Sequence, residues 1–420
     1  MEELLFLAHR IPYPPNKGDK IRSWHMFAYL RRHFHVHLGC FIDHPDDRRH
    51  IDALRPMCAS SCFIEQSPLR ARLHSLSGLL GSHPMSLHYY RDAVLERWVA
   101  ELLHGGRIRH ALAYSGPMAQ YLFSAAAKRG KAENCIVDFV DVDSEKWQQY
   151  AASKPWPLSA LYRREARQLL AYETAVARQA DAVTFVSMAE AALFRRAAPA
   201  LLRNVDHFNN GVDADYFTPH AAYPDPYGGS TPVLVFTGMM DYWPNVQAMT
   251  WFVRMVMPAL LQRRPDVQLH IVGARPVPAV LALAQRPRVH VSGAVPDIRP
   301  YLAHAALALA PLRIARGVQN KVLEAMSMQK TVIASPQALE GLTAAPGSEV
   351  QVAASAQQFV DLIIDALYGN QQHLGLAARA RVLRDYRWEL NLERLGALFD
   401  LPRQGGLSLM PKPATRESAA

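Results

Sequence analysis

Short apolar runs alternate along this chain with longer stretches in which apolar residues return every three or four positions. The runs at 4–8, 62–65, 111–114, 135–140, 181–187 and 204–208 read as buried strands, as do those at 233–238, 267–272, 288–291, 306–311 and 331–334. Helical spacing fills the intervals. It begins near Lys20, where Ile21, Trp24, Phe27 and Leu30 share a face, and recurs at 92–103, 158–180, 188–197, from the loop 239–245 to Leu261, and at 357–367, 373–385 and 388–399. Strand and helix in strict alternation predict an α/β protein built on doubly wound parallel sheets.

Length divides this pattern. At 420 residues the chain is expected to form two domains. A Pro-, Gly- and Tyr-rich stretch at 221–232 reads as the linker, between domains at 1–220 and 233–385. Residues 386–402 form a final amphipathic helix, and 403–420 read as a disordered tail. Half the residues are apolar and a fifth charged, a globular balance. No apolar run reaches the ~18 residues of a membrane span. The opening Met-Glu-Glu carries the wrong charge for a secretory leader, so a cytoplasmic protein is expected. Four cysteines, with no paired metal-site spacing, read as reduced thiols. The net charge of +9 is spread in short clusters without a nucleic-acid motif, so no nucleic-acid partner is expected. It fits a weak attraction to an anionic membrane surface, or simply a basic solvated surface.

Chemistry concentrates at strand ends. Between the runs 306–311 and 331–334, Val318, Val322, Leu323 and Met326 fall at helical spacing, giving strand, glycine-bearing loop, helix, strand. In a parallel sheet such a loop lies at the carboxyl edge, and a helix N-terminus there suits a phosphate. Arg313, Arg316 and Lys321 surround that position, and Glu324 is placed to accept hydrogen bonds from a ribose diol. Lys321 and Glu324 also fit a plain surface ion pair three residues apart. Near the N-terminus, Gly18 follows a proline-rich loop that cannot be helical, giving a second strand–loop–helix unit that either receives an anion or merely turns. His33, His35 and His37 alternate on one face; three positions on one strand converge poorly on an ion, and no metal is expected. Asp141-Val142-Asp143-Ser144 follows the run 135–140. Ser144 reads as a helix N-cap, and the two aspartates as ligand contacts or as part of that cap. Asn210-Gly211 reads as a tight turn.

The segment with Gly317, Glu324-Ala325-Met326 and Thr331-Val332-Ile333-Ala334 resembles the nucleotide-sugar loop of the retaining glycosyltransferases of group 1, which have the two-domain GT-B fold. Val186-Ser187, then a helix, then Asn210-Gly211-Val212-Asp213 before Phe217 and Pro219 resembles the end of that family's first domain. The resemblance implies two Rossmann-like domains facing a cleft, with the last helix returning to the first. It implies a nucleoside-diphosphate-sugar donor, no metal cofactor, and a glycan or lipid-linked glycan acceptor. Gly18, Gly238, Arg275, Arg313, Gly317, Val318 and Glu324 would line the donor. Arg316 and Lys321 would stabilise the departing diphosphate. Asp141 and Asp143 would meet the transferred sugar or the acceptor hydroxyl, and Asp19 and Arg22 would lie on the acceptor side. Arg316 departs from the pattern, which has a glutamate there, and the loop 239–245 lacks the family's Arg and Lys. The Pro-rich opening and the stretch 141–147 resemble sugar transferases of bacterial exopolysaccharide and exosortase systems. A GT-B nucleotide-sugar epimerase would share the architecture, and a non-enzymatic basic module would share only the charge.

Overall fold

The computed structural model describes residues 1–402 apart from 16, 17, 79, 80, 82, 125, 126, 131, 153, 202, 203, 230, 316, 370 and 371. The chain packs as two units: residues 1–209 with the described residues from Leu392 on, and Asn210–Asn391. Among the described residues, each unit holds one parallel sheet. The first has strands β1 (Glu2–Ala8), β2 (Phe34–Ile42), β3 (Ser60–Glu65), β4 (Ile108–Tyr114), β5 (Asn134–Val140), β6 (Ala182–Phe185) and β7 (Val205–His207), in the order β3-β2-β1-β4-β5-β6-β7. The second has β8 (Val233–Thr237), β9 (Gln268–Val272), β10 (Val289–Gly293), β11 (Leu307–Ala310), β12 (Val332–Ala334) and β13 (Gln351–Val352), in the order β10-β9-β8-β11-β12-β13. Strand order reverses beside β1 and beside β8. Those two positions, β1/β4 and β8/β11, are where a doubly wound sheet opens a crevice at its carboxyl edge.

Helices cover both sheets. Those used below are α1 (Gly18–Leu30), α2 (Ala93–His104), α3 (Asp143–Ala152), α4 (Leu158–Gln179), α5 (Met188–Ala197), α6 (Trp243–Met255), α7 (Asn320–Ser327) and α8 (Trp388–Ala397). The central strands are buried along their length, all five residues of β8 and the last five of β1, as expected of strands covered on both faces. After α8 the chain packs with the first unit. Asn134 Nδ2 donates to the Leu398 carbonyl at 2.7 Å, and the Phe399 and Phe34 rings lie 5.7 Å apart.

Five local expectations are corrected, each for a stated reason. The buried face of α1 is not Ile21-Trp24-Phe27-Leu30. Ile21 and Trp24 are half-buried, while Lys20, Arg22, Ser23, Met26, Phe27 and Leu30 face the core. Two cations can face inward because each meets a carboxylate: Lys20 Nζ lies 2.8 Å from Asp47 and Arg22 Nε 2.7 Å from Asp138. The three histidines do not share one environment. His33 precedes β2, His35 is exposed, and His37 is buried against Ser60 Oγ at 2.7 Å and Glu3 at 3.3 Å. Among the described residues no group of three His, Cys, Asp or Glu side chains is arranged to hold a metal ion.

Ser144 is not an N-cap, because α3 already begins at Asp143. Its N–H and hydroxyl both donate to Glu173 of α4, at 3.1 and 2.6 Å, so a carboxylate from the neighbouring helix serves the first turn. Asn210-Gly211 lies in no turn, bend or regular element. Glycine is required there by proximity: a Cβ on Gly211 would lie 2.6 Å from the Trp388 nitrogen. Beside it, Val212 N donates to the Tyr386 carbonyl at 2.7 Å. The stretch read as one helix to Leu261 is two, α6 and a second at Met257–Arg263. Pro258 cannot supply the amide hydrogen that a continuous helix needs.

Candidate functional site

In the second unit two candidates, Gly238 and Lys321, meet at the β8/β11 position. β8 runs straight into Gly238, whose φ of +151° is left-handed territory that favours glycine. A Cβ there would stand 3.0 Å from Lys321 Nζ and 2.8 Å from Asn245 Nδ2. The glycine therefore clears the space that the Lys321 head occupies. Lys321 is the second residue of α7, and its ammonium donates to Asn245 Oδ1 at 2.5 Å while lying 4.2 Å from the centroid of the Phe236 ring. Asn245 is oriented in turn by donating to the Met239 carbonyl at 2.8 Å.

This lysine is half-buried. Burial lowers its pKa to about 7, opposed by the charge of Glu324 one helical turn away. An ammonium with one amide partner and an aromatic face keeps donor capacity for an incoming anion. The helix adds to this, because Gln319 offers no side-chain cap to the first turn of α7. Glu324 is half-buried on the same helix.

The loop before α7 is braced from behind. Gly317 has φ of +64°, and a Cβ on Gly341 would fall 2.6 Å from the Gly317 carbonyl and 2.9 Å from Val318 N. Asn210 Nδ2 donates to Asn320 Oδ1 at 3.4 Å, joining the Asn-Gly motif to the first residue of α7. Val318 lies in this loop and not in the helix that its spacing suggested. Arg275, exposed, lies 3.9 Å from Asp241 of the 239–245 loop. Arg313 is exposed and packs over the ring of Trp251 in α6 at 5.5 Å. Arg316 lies outside the described residues.

Gly273 supports the same loop pair. Its φ is +155°, and an added Cβ would stand 1.7 Å from the Gly238 carbonyl oxygen. Gly273→Ala is expected to cost more than about 2 kcal/mol, through strain and the forced separation of the two loops. Urea denaturation checks this, and an unchanged midpoint would contradict it.

In the first unit the candidates form two groups. Asp19 accepts from Arg10 Nη1 at 2.7 Å, its carbonyl accepts from Tyr114 Oη at 2.8 Å, and His9 Nε2 is 3.6 Å from the carboxylate. Burial opposes its charge, but hydrogen bonding from His9 and the Arg10 charge hold it well below the usual carboxylate range. Gly18 opens α1 immediately before it. Arg22 is 1% exposed and committed inward. Its guanidinium meets both oxygens of Asp138, at 2.7 and 3.1 Å, and the Phe208 carbonyl at 3.0 Å, and stacks 3.8 Å from the Phe208 ring centroid.

Asp141 is aimed by strain. Val140 has φ of +70°, rare for a β-branched residue, and Asp141 N donates back to the Phe139 carbonyl at 2.9 Å, closing a strained γ-turn. Among the described residues, the buried Asp141 Oδ1 accepts no hydrogen bond. Burial pushes this carboxyl up to about 6; Lys146 opposes the shift, and Glu190 and Asp143 add to it. Glu190 of α5 accepts from Val142 N at 2.8 Å, and Asp143 lies 3.7 Å from Lys146.

Four of these residues carry no motif in the sequence. Asn245, Gly273, Asp138 and Glu190 act through partners about 46 to 116 positions away or through backbone geometry, as Arg22–Asp138 and Val142–Glu190 show. Pro244-Asn245, six and seven positions after the glycine that ends a strand, was the one visible signal.

A lysine and a carboxylate on one helix, at a glycine-lined reversal point of a parallel sheet, form an arrangement chemically able to receive a phosphate. Residues 231–368, within the second unit, match the family model described as glycosyl transferases group 1. The fold is similar to that of sucrose-phosphate synthase (tll1590) from Thermosynechococcus elongatus, with a TM-score of 0.70 and 18% identity over 95% of this chain and 98% of that one. It is also similar to Anabaena Alr3699/HepE in complex with UDP, with a TM-score of 0.67 and 16% identity over 95% and 100% of the two chains. WaaG, a glycosyltransferase involved in lipopolysaccharide biosynthesis, gives 0.61 and 16% over 94% and 99%. At these identities the likeness speaks for the fold, which is GT-B. No curated protein matches the sequence.

Proposed function

We propose that this chain transfers a sugar from a nucleoside-diphosphate donor to a hydroxyl of a glycan or lipid-linked glycan. The observation that carries the reading is the Lys321 ammonium, held by Asn245 in the space left by Gly238 at the start of α7, within the segment that matches group 1. Breaking the bond to the anomeric carbon leaves negative charge on the diphosphate. Lys321 and the first N–H groups of α7 stabilise that charge as it forms. Glu324 holds the ribose, Gly238, Gly317 and Val318 let backbone approach the donor, and Gly18 does the same in the first unit. Arg275, Arg313 and Arg316 add cationic reach; Arg316 offsets the absent Arg/Lys pair of the 239–245 loop. With these charges in place the diphosphate needs no metal.

The acceptor hydroxyl attacks from the face the diphosphate leaves, and a phosphate oxygen takes its proton, giving retention. Asp141 and Asp143 contact the transferred sugar or that hydroxyl, with Asp141 aimed by the Val140 turn. Asp19 serves the acceptor side through the loop it fixes, and Arg22 through the packing of α1. A uridine donor is the first to test, since Alr3699/HepE is described in complex with UDP-glucose. The resemblance of the N-terminal opening supports a place in bacterial exopolysaccharide synthesis, on the cytoplasmic side. No helix among the described residues is long and apolar enough to cross a membrane.

Glu324→Ala tests the donor orientation. Affinity for UDP is expected to fall by roughly tenfold or more, the worth of hydrogen bonds to a charged group, while pyrophosphate affinity holds. Equal losses for both ligands, or none, would contradict the ribose assignment. Donor turned over to an epimerised nucleotide sugar without any acceptor would replace the transferase reading with the epimerase one.

A further inference from the structure

Helices α3 and α4 pack along each other as a hairpin in the first unit. Trp147 and Tyr162, with ring centroids 5.0 Å apart, and the Ser144–Glu173 bonds hold its two arms together. Its tip reads Lys154-Pro155-Trp156-Pro157-Leu158. The indole of Trp156 is 80% exposed and Leu158 is 45% exposed, so the two largest apolar groups of the tip stand in water. The flanking prolines fix the backbone that presents the ring.

The charges around the tip have one sign. From Lys154 to Tyr172 the chain carries Lys154, Arg163, Arg164 and Arg167 against a single carboxylate, Glu165. Glu165 is buried and accepts from Met85 N at 2.9 Å and Ser86 N at 3.2 Å. Lys154, Arg163 and Arg167 are exposed. A second exposed apolar pair, Leu69 and Leu73, lies on the helix Pro68–Ser77. That helix is tied to the hairpin where Arg164 donates to the Gly78 carbonyl at 2.7 Å.

We propose that this tip docks the protein on an anionic lipid surface, with Trp156 and Leu158 entering the interface and Lys154, Arg163 and Arg167 facing the headgroups. Tryptophan with an apolar body and a polar N–H suits that boundary, and long cationic stems suit its rim. Charge complementarity selects this occupant over the others. A second copy on a two-fold axis would set the same cations against each other. The core of a protein interface is depleted in lysine and other charges. The inference stands apart from the donor site, which lies in the other unit.

The test is co-sedimentation of the full chain with phosphatidylcholine vesicles, with and without phosphatidylglycerol, at low and high salt. Binding is expected only with phosphatidylglycerol, and salt is expected to release it. Trp156→Ala with Leu158→Ser should weaken binding about tenfold. Arg163→Gln with Arg167→Gln should weaken it by roughly tenfold or more. Both variants should keep the circular dichroism spectrum and the UDP affinity of the parent. Equal binding to both vesicle types, unchanged binding by the variants, or a concentration-dependent dimer abolished by Trp156→Ala would overturn the proposal.

Discussion

Lys321→Ala is expected to lower affinity for a nucleoside diphosphate by at least about a hundredfold, the scale of removing one charged stabiliser from a water-poor site. Lys321→Arg should not restore it. The Lys321 head fills a space bounded by Gly238 and Asn245, and a planar guanidinium is wider and forked. The same residue sets a pH dependence. Its pKa in the folded chain is about 7, below the ordinary 10.5, so between those values the folded chain binds fewer protons than the unfolded one. This group's contribution to stability is therefore fully present above pH 10.5, and is lost as pH falls through 7. An anionic ligand reverses the preference by favouring the ammonium. Binding above pH 7 takes up a proton, and affinity falls as pH rises, by up to about tenfold per unit. Calorimetric titration at alkaline pH in buffers of different ionisation enthalpy should show proton uptake that Lys321→Met abolishes. A flat pH profile would contradict the assignment.

Arg22→Ala is expected to cost about 3–5 kcal/mol of stability, the largest folding effect of any single substitution considered. The reason is not the lost attraction alone. Asp138 is 0% exposed, and without Arg22 its carboxylate keeps, among the described residues, only Thr184 Oγ1, at 2.8 Å, as a side-chain donor. The Phe208 carbonyl loses its donor as well. Replacing both partners, Arg22→Met with Asp138→Leu, should recover much of the loss, because no buried charge is then left unpaired. Urea denaturation of both variants distinguishes this from a surface role, which would give less than about 1 kcal/mol for the single change.

How far the sequence could be read follows from the range of each interaction. Periodicity is local, so the strands β1, β5, β8 and β11 and the helices α4, α5 and α7 lie within a residue or two of where it placed them. The two-residue β13 went unnoticed because an edge pairing of that length leaves no pattern. The α1 face was misplaced for a different reason. Hydrophobicity counts Lys20 and Arg22 as surface, and only Asp47 and Asp138, distant in sequence, let them turn inward. Gly211 looked like a turn because Asn-Gly usually is one; the constraint comes from Trp388. At the candidate site, the strand–loop–helix reading named Gly317, Lys321 and Glu324 and the resemblance named Gly238, all from local sequence. It could not show that Asn245 holds Lys321 across 76 positions, that Arg313 packs on Trp251, or that Val140 is strained.

The central claim is that the second unit binds a nucleoside diphosphate on Lys321 and Glu324. Calorimetric titration of the intact chain with UDP, GDP and ADP, with and without magnesium and beside Lys321→Ala, tests it most directly. The account predicts binding of one of these diphosphates, undiminished when magnesium is withheld and lost in the variant. Failure to bind any of the three, or binding that Lys321→Ala leaves intact, would contradict it.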